Sequence, residues 1–189
     1  KTLPFELPEG ILYTLNDISL RKLYETKLKN SELLNKNILA TIPDMVWLKD
    51  ENGKYITCNH EFEKFAGAKE EYIIGKTDYD LQDKEIADAF RFDDNRAMNS
   101  KHAIVIEERV LYASDKKYVL LDTTKKAMHD YDGKIIGVLG VGHDITKRKK
   151  ELEELERLNN LSTSLTKFQS TLLSLFDNKF ISTLSYSVI

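Results

Sequence analysis

Apolar residues recur at helical intervals near both ends of the chain and at strand intervals in its middle. Residues 18–42 and 147–176 contain no glycine or proline and are rich in Leu, Lys and Glu, which predicts two charged, leucine-bearing helices. Between them the period shortens. Pro43-Asp44 stops the first helix. Residues 45–49 and 54–58 read as strands joined through Asn52-Gly53, a pair that tolerates the positive φ of a tight hairpin turn. Asn59 is placed to cap a short helix carrying Phe62, Phe65 and Ala66, and Gly67 to end it. A polar, turn-rich stretch follows over 68–82. A longer helix runs from Asp83 to about Asn99, with Ile86, Phe90 and Ala97 marking its inward stripe. Strand patterns over 103–112 and 118–128 come next. After the Asp132-Gly133 turn, a run from Lys134 to Val141 is apolar on both faces. The order of strand, strand, helices and three strands predicts an α+β fold: a five-stranded antiparallel sheet with helices on one face.

The two ends echo one another. Asp17-Ile18-Ser19 with Arg21-Lys22 matches Asp144-Ile145-Thr146 with Arg148-Lys149. A strand-like Ile11-Leu12-Tyr13-Thr14-Leu15 precedes the first copy. Residues 1–17 therefore read as the last strand of a preceding module of the same kind. Residues 18–42 form a linker helix, 43–146 the central domain, 147–176 a C-terminal helix and 177–189 an unassigned tail. In the C-terminal helix Leu158, Leu161, Leu165, Phe168, Leu172 and Leu175 are spaced three, four, three, four, three, the seam of a parallel coiled coil. Leu152 and Leu155 precede it at spacing three, a break in register suited to a signalling junction. The alternative is a lone amphipathic helix folded back on its own sheet.

Composition narrows the function. Of 189 residues 41% are hydrophobic, enough for a core. The 28 basic and 31 acidic residues leave a net charge of −3, which argues against a nucleic-acid partner. The single cysteine, Cys58, allows no intrachain disulfide. No apolar run reaches the roughly 18–20 residues of a membrane span. The chain opens on Lys1 without a secretory leader. These features predict a cytoplasmic piece of a longer protein, tied to a membrane only through other parts.

Two charged side chains stand out. In the strand 118–128, Leu121, Thr123, Lys125 and Ala127 share one face. Asp94 lies in the inward stripe of the long helix. An ammonium and a carboxylate then face each other across the domain interior, where charges persist only when paired or ligated. Lys125 is a candidate anchor for the anionic group of a small ligand, with Asp94 orienting it or binding an ammonium. The competing readings are a direct Asp94–Lys125 ion pair with no ligand, or both groups reaching out to solvent. Trp47, Phe62, Phe65, Phe90 and Thr123 complete the candidate lining, although the aromatics suit a plain core equally well. Asp78, Tyr79 and Asp80 read as turn and capping residues. The histidines are scattered, so no metal site is expected, and no nucleophile–base pair or glycine-rich phosphate loop is present.

Pro43-Asp44 through Trp47, Asp50-Glu51-Asn52-Gly53, Asn59 through Gly67, Ile74-Gly75-Lys76-Thr77, Asp132-Gly133-Lys134, and Gly140-Val141-Gly142 before Asp144-Ile145-Thr146 occur in order over about residues 37–150. In this series the chain resembles the PAS domain family of bacterial sensor proteins. The resemblance implies a non-catalytic sensory or dimerising module. Such a module relays a conformational shift to a histidine kinase or cyclic-di-GMP enzyme in the same chain, typically as a parallel homodimer. A ligand-free dimerisation spacer is the alternative. Flavin photoreceptors of the family carry an Asn-Cys-Arg motif on the helix after the second strand. Here Cys58 lies on the strand and Asn59-His60 follows, so no flavin adduct is expected. Haem-binding members take a histidine from the long helix, and residues 83–99 hold none. No cofactor is expected, and a small anionic ligand is the candidate signal.

Overall fold

The computed structural model describes the backbone of residues 9–185 and the side chains of residues 18–174. Contacts separate the chain into two compact units, Lys1–His143 and Asp144–Ile189.

The first unit opens with α1 (Glu9–Thr41), a single helix. Ile11–Leu15, expected as a strand remnant, lies inside it, and the expected boundary at residue 17 falls in mid-helix. Ile11, Leu12, Leu15 and Ile18 fit a helical period as well as a strand, and a strand needs a neighbour to bond its backbone. Residues 1–8 of that expected remnant lie outside the described residues. The elements that follow are β1 (Met45–Asp50), β2 (Tyr55–Cys58), α2 (His60–Ala66), α3 (Glu70–Ile73), α4 (Asp78–Leu81), α5 (Lys84–Met98), β3 (Ile104–Leu111), β4 (Tyr118–His129) and β5 (Ile135–Asp144). The strands form one five-stranded antiparallel sheet in the order β2-β1-β5-β4-β3. The last strand of the domain thus inserts beside the first, with Trp47 opposite Gly140 and Lys49 opposite Val138.

Local chemistry sets the element ends. The Asn59 side chain accepts from Phe62 N at 3.2 Å and so caps α2. It also accepts from Val46 N at 3.0 Å and donates to Asp44 O at 2.7 Å and Ile42 O at 3.3 Å. One buried amide thereby joins the segment leaving α1, the start of β1 and the head of α2. Gly67 closes α2 at φ +69°. The polar stretch 68–82 contains two single-turn helices, and Thr77 with Asp80 forms a capping box at the head of α4.

The α5 stripe is rotated from the expected one. Ala87, Asp94 and Ala97 are buried, whereas Ile86 is 43% exposed. Ile86 keeps a four-residue step to Phe90 but falls at the edge of the face that Ala87, Asp94 and Ala97 bury. Met45, Trp47, Tyr55, Phe62, Phe65, Ile73, Val110 and Leu121 make the core between helices and sheet.

The second unit is α6 (Thr146–Ser185). Asp144 Oδ1 accepts from Thr146 N at 2.8 Å at its entrance. The helix continues past residue 176, where an unassigned tail was expected. Residues 186–189 lie outside the described residues. Leu158, Leu161, Leu165, Phe168 and Leu172 are 38–62% exposed along it. The side chain of Leu175 lies outside the described ones.

Candidate functional site

The inner face of the sheet carries ions. Period two along β1 puts Met45, Trp47 and Lys49 on that face, and along β4 it puts Leu121, Thr123 and Lys125 there. A β-bulge lies between Leu48 and Lys49 in the pairing with β2. The backbone of Lys49 approaches β5 closely at a glycine. Gly137 adopts φ +154°, and a Cβ there would overlap the Lys49 carbonyl oxygen.

Four ions alternate in sign beneath the helices. Lys49 Nζ donates to Asp78 Oδ1 at 2.8 Å and Oδ2 at 2.6 Å, and to Asp94 Oδ2 at 2.8 Å. Lys125 Nζ donates to the other oxygen, Asp94 Oδ1, at 2.7 Å. All four side chains are at most 2% exposed. The ends are closed by neutral groups: Tyr55 donates its hydroxyl to Asp78 Oδ1 at 2.6 Å, and Lys125 Nζ donates to Phe90 O at 3.3 Å. The Lys49 ammonium also lies 4.8 Å from the Tyr55 ring centroid, and that of Lys125 lies 5.6 Å from the Phe90 centroid. Removing each ion from water costs several kcal/mol, so only alternation with saturated hydrogen bonding makes the series tolerable. Burial works against ionisation of Asp94, but the Lys49 and Lys125 charges and hydrogen bonds outweigh it and hold its carboxyl below the usual range. Burial, reinforced by the Asp78 charge and hydrogen bond, raises the Tyr55 phenol well above 10.

The sequence pattern brings Asp94 and Lys125 together correctly, and the structure joins them directly. It misses Lys49 and Asp78. Lys49 shares its β1 face with Trp47, and that period-two placement is the signal that could have found it. Asp78 belongs to the segment expected only to cap and turn. Asp80 does so, while Asp78 turns inward.

Trp47, Phe62, Phe65 and Phe90 line an internal cavity of about 20 Å³ together with Lys49, Tyr55 and Lys125. That volume holds about one water molecule. The rings pack against one another, Trp47–Phe62 at 5.6 Å, Phe62–Phe65 at 5.4 Å and Phe65–Phe90 at 6.4 Å between centroids. Thr123 is fully buried on the same sheet face but does not line the cavity, and its Oγ1 has no hydrogen-bond partner among the described residues. Cys58 is buried, and burial, with the Glu70 and Glu63 charges behind it, pushes its thiol up to about 12. No cluster of three metal-ligating side chains occurs among the described residues. The lowered Asp94 pKa is the opposite of what a general acid requires. Among the described residues no helix is long and apolar enough to cross a membrane.

Residues 39–150 match the family model described as PAS fold. The aerobic respiration control sensor protein ArcB of Escherichia coli (strain K12) is 26% identical over 129 residues, 68% of this chain and 16% of that protein. A diguanylate cyclase of Vibrio cholerae serotype O1 is 28% identical over 135 residues, 70% of this chain and 41% of that protein. The chain therefore spans less than half the length of either curated relative. A solved structure described as the Vibrio cholera VqmA–ligand–DNA complex shares the fold at a TM-score of 0.55 and 24% identity, over 60% of this chain and 51% of that one. That complex corrects the expectation that nucleic acid is excluded, since a protein containing this fold has been solved with DNA. Net charge is a sum over the whole chain, whereas phosphate contact depends on local cations or on another domain.

Proposed function

The chain belongs to the PAS fold family, and on that footing we propose that it is a non-catalytic relay module. It passes a conformational shift through α1 and α6 to an effector carried elsewhere in the protein. The diguanylate cyclase relative supports a cyclic-di-GMP enzyme as that effector, and the resemblance to sensor proteins leaves a histidine kinase as the alternative. The unit boundaries of this reading are the helix α1, a sheet domain from residue 43 to about 146, and the helix α6.

The exposed seam on α6 carries the proposal. Leu158, Leu161, Leu165, Phe168 and Leu172 repeat at coiled-coil spacing on a long helix and are all exposed. Apolar side chains at that period are stabilised by a second helix of the same kind. Leu20, Leu23, Leu28, Leu33 and Leu34 are exposed in the same way on α1. Two dimer arrangements with different seam registers give the two states that a relay needs, and a signal acts by differing in affinity for them.

The interior supports the ligand-free alternative over an anion held by Lys125. Lys125 and Asp94 already satisfy each other, and the cavity has room for about one water. An anion bound at Lys125 would compete with Asp94 for the same ammonium.

The test is the molar mass of the 189-residue chain by light scattering. A dimer is expected. Leu161→Asn with Leu165→Asn should convert it to a monomer with unchanged β-sheet circular dichroism. A wild-type chain that stays monomeric at about 100 μM overturns the reading.

A further inference from the structure

The sheet ends on β3, and the outer rim of that strand is open. Tyr112 N donates to Lys117 O at 2.9 Å across the turn to β4, and Ala113 N turns the other way to Phe65 O at 2.9 Å. By alternation, the odd-numbered residues of β3 aim their backbone groups away from β4. Those of Val105, Arg109 and Leu111 make no backbone hydrogen bond beyond the sheet among the described residues. Val105 is 63% exposed and Leu111 42%. Such a rim is a template for a further strand.

The strand is complementary to its own rim. Residues 104–111, Ile-Val-Ile-Glu-Glu-Arg-Val-Leu, can lie antiparallel on a second copy with a two-fold axis through Glu108. Val105 then stands opposite Leu111, Ile106 opposite Val110 and Glu107 opposite Arg109, each pair occurring twice. The outward backbone groups of 105 with 111, and of 107 with 109, become the hydrogen-bonded pairs. The opposed charges share the face away from the helices, since Glu107 and Arg109 pair with Asp122 and Leu120 of β4 rather than with the inward Thr123 and Leu121. The Tyr118 ring, 4.2 Å from the Arg109 guanidinium, holds that cation there. Moving the axis to residue 107 or 109 would set like charges against each other. On the helix side, a groove of about 900 Å³ walled by Leu81, Ile86 and Phe90 leaves room for Ile106 of the second copy. One mismatch remains, on the axis itself, where Glu108 meets Glu108 in a non-hydrogen-bonded pair.

We propose that β3 is a contact surface for a second copy of this chain, paired edge to edge about Glu108, and that the Glu108 carboxylates keep the contact weak. Backbone hydrogen bonds supply the attraction, and the Glu107–Arg109 pairs fix the register. A contact of this strength acts between chains that another interaction already concentrates. It is independent of the α6 seam. Leu161→Asn with Leu165→Asn removes the seam and leaves β3 untouched, so the two readings fail separately.

The experiment is sedimentation equilibrium of the full 189-residue chain carrying Leu161→Asn and Leu165→Asn, up to about 1 mM. Adding Glu108→Gln should tighten self-association about tenfold, by removing the like charges on the axis. Adding Arg109→Glu to that variant should weaken it about tenfold, because Glu107 then faces a glutamate. Adding Glu107→Lys as well should restore it, with β-sheet circular dichroism unchanged throughout. Register is read by oxidation with copper phenanthroline in air. Glu108→Cys should cross-link to its own copy, the paired Cα atoms lying about 4.5 Å apart. Leu111→Cys should not, since six residues separate the two copies by about 20 Å. A Glu108→Gln variant that stays monomeric, association indifferent to the charge exchange, or cross-linking at 111 equal to that at 108 overturns the proposal.

Discussion

Lys49 on β1 and Asp94 on α5, 45 residues apart, meet at 2.8 Å with neither side chain more than 1% exposed. Asp94→Asn removes the charge shared by two lysines and leaves both ammoniums buried beside an amide. A loss of about 3–5 kcal/mol is expected, the range for breaking a buried pair on one side. Urea denaturation measures it. Combining Asp94→Asn with Lys125→Met should restore part of the loss, because one stranded charge is then gone. A single variant as stable as the parent would contradict the account.

Acid should weaken the fold through specific carboxylates. Burial raises the Glu63 pKa, but hydrogen bonds from Lys69 at 2.8 Å, the Glu70 amide at 2.9 Å and His60 at 2.9 Å prevail and lower it from 4.5 to about 2. A depressed carboxyl contributes stability above its unfolded pKa and loses it as pH falls through the folded one. Glu63 therefore contributes fully above about pH 4.5 and loses that contribution toward about pH 2. Asp94, also lowered, acts in the same direction. Glu63→Gln should flatten the stability profile over that window while leaving its neutral-pH slope unchanged. Chemical denaturation at stepped pH provides the comparison, and an unaltered acid limb would refute the assignment.

Asn59→Ala should act on two elements at once. It strips the cap from α2 and leaves the Val46 amide and the Asp44 carbonyl without their partner. A cost of about 2 kcal/mol is expected from the cap and the orphaned groups together. Hydrogen exchange should quicken at both Val46 and Phe62. Acceleration at only one of them would show that the amide does not join the two segments.

Gly137→Ala tests the close approach of β5 to β1. The added methyl overlaps the Lys49 carbonyl oxygen, and the φ of +154° disfavours a side chain. Destabilisation of about 1–3 kcal/mol is expected, as for an overpacked site. The midpoint of thermal unfolding reads it directly. A neutral result would mean that the strands separate there at no cost.

The sheet and its flanking helices were legible because each follows from a period or a turn. Asn52-Gly53 and Asp132-Gly133 mark hairpins, and alternation through Leu121, Thr123 and Lys125 turns the ammonium of Lys125 inward. Half of the ion series was legible for the same reason. Asp78 was not, because a single-turn helix has too few residues to express a period, and its neighbours Tyr79 and Asp80 are exposed. The arithmetic of charge gives the missing clue: Lys49 and Lys125 both point inward, Asp94 neutralises one, and the other requires a second acid. The strand expected at Ile11–Leu15 failed where pattern alone decides least, in a short apolar run consistent with either period.

The bulge at Leu48/Lys49 limits how β1 and β2 can align. A one-residue slip would send the Lys49 ammonium to water and turn the leucine carbons of Leu48 toward two carboxylates. The hairpin therefore has a single tolerable alignment, and errors in its assembly carry an electrostatic cost that an all-hydrocarbon interior would not impose.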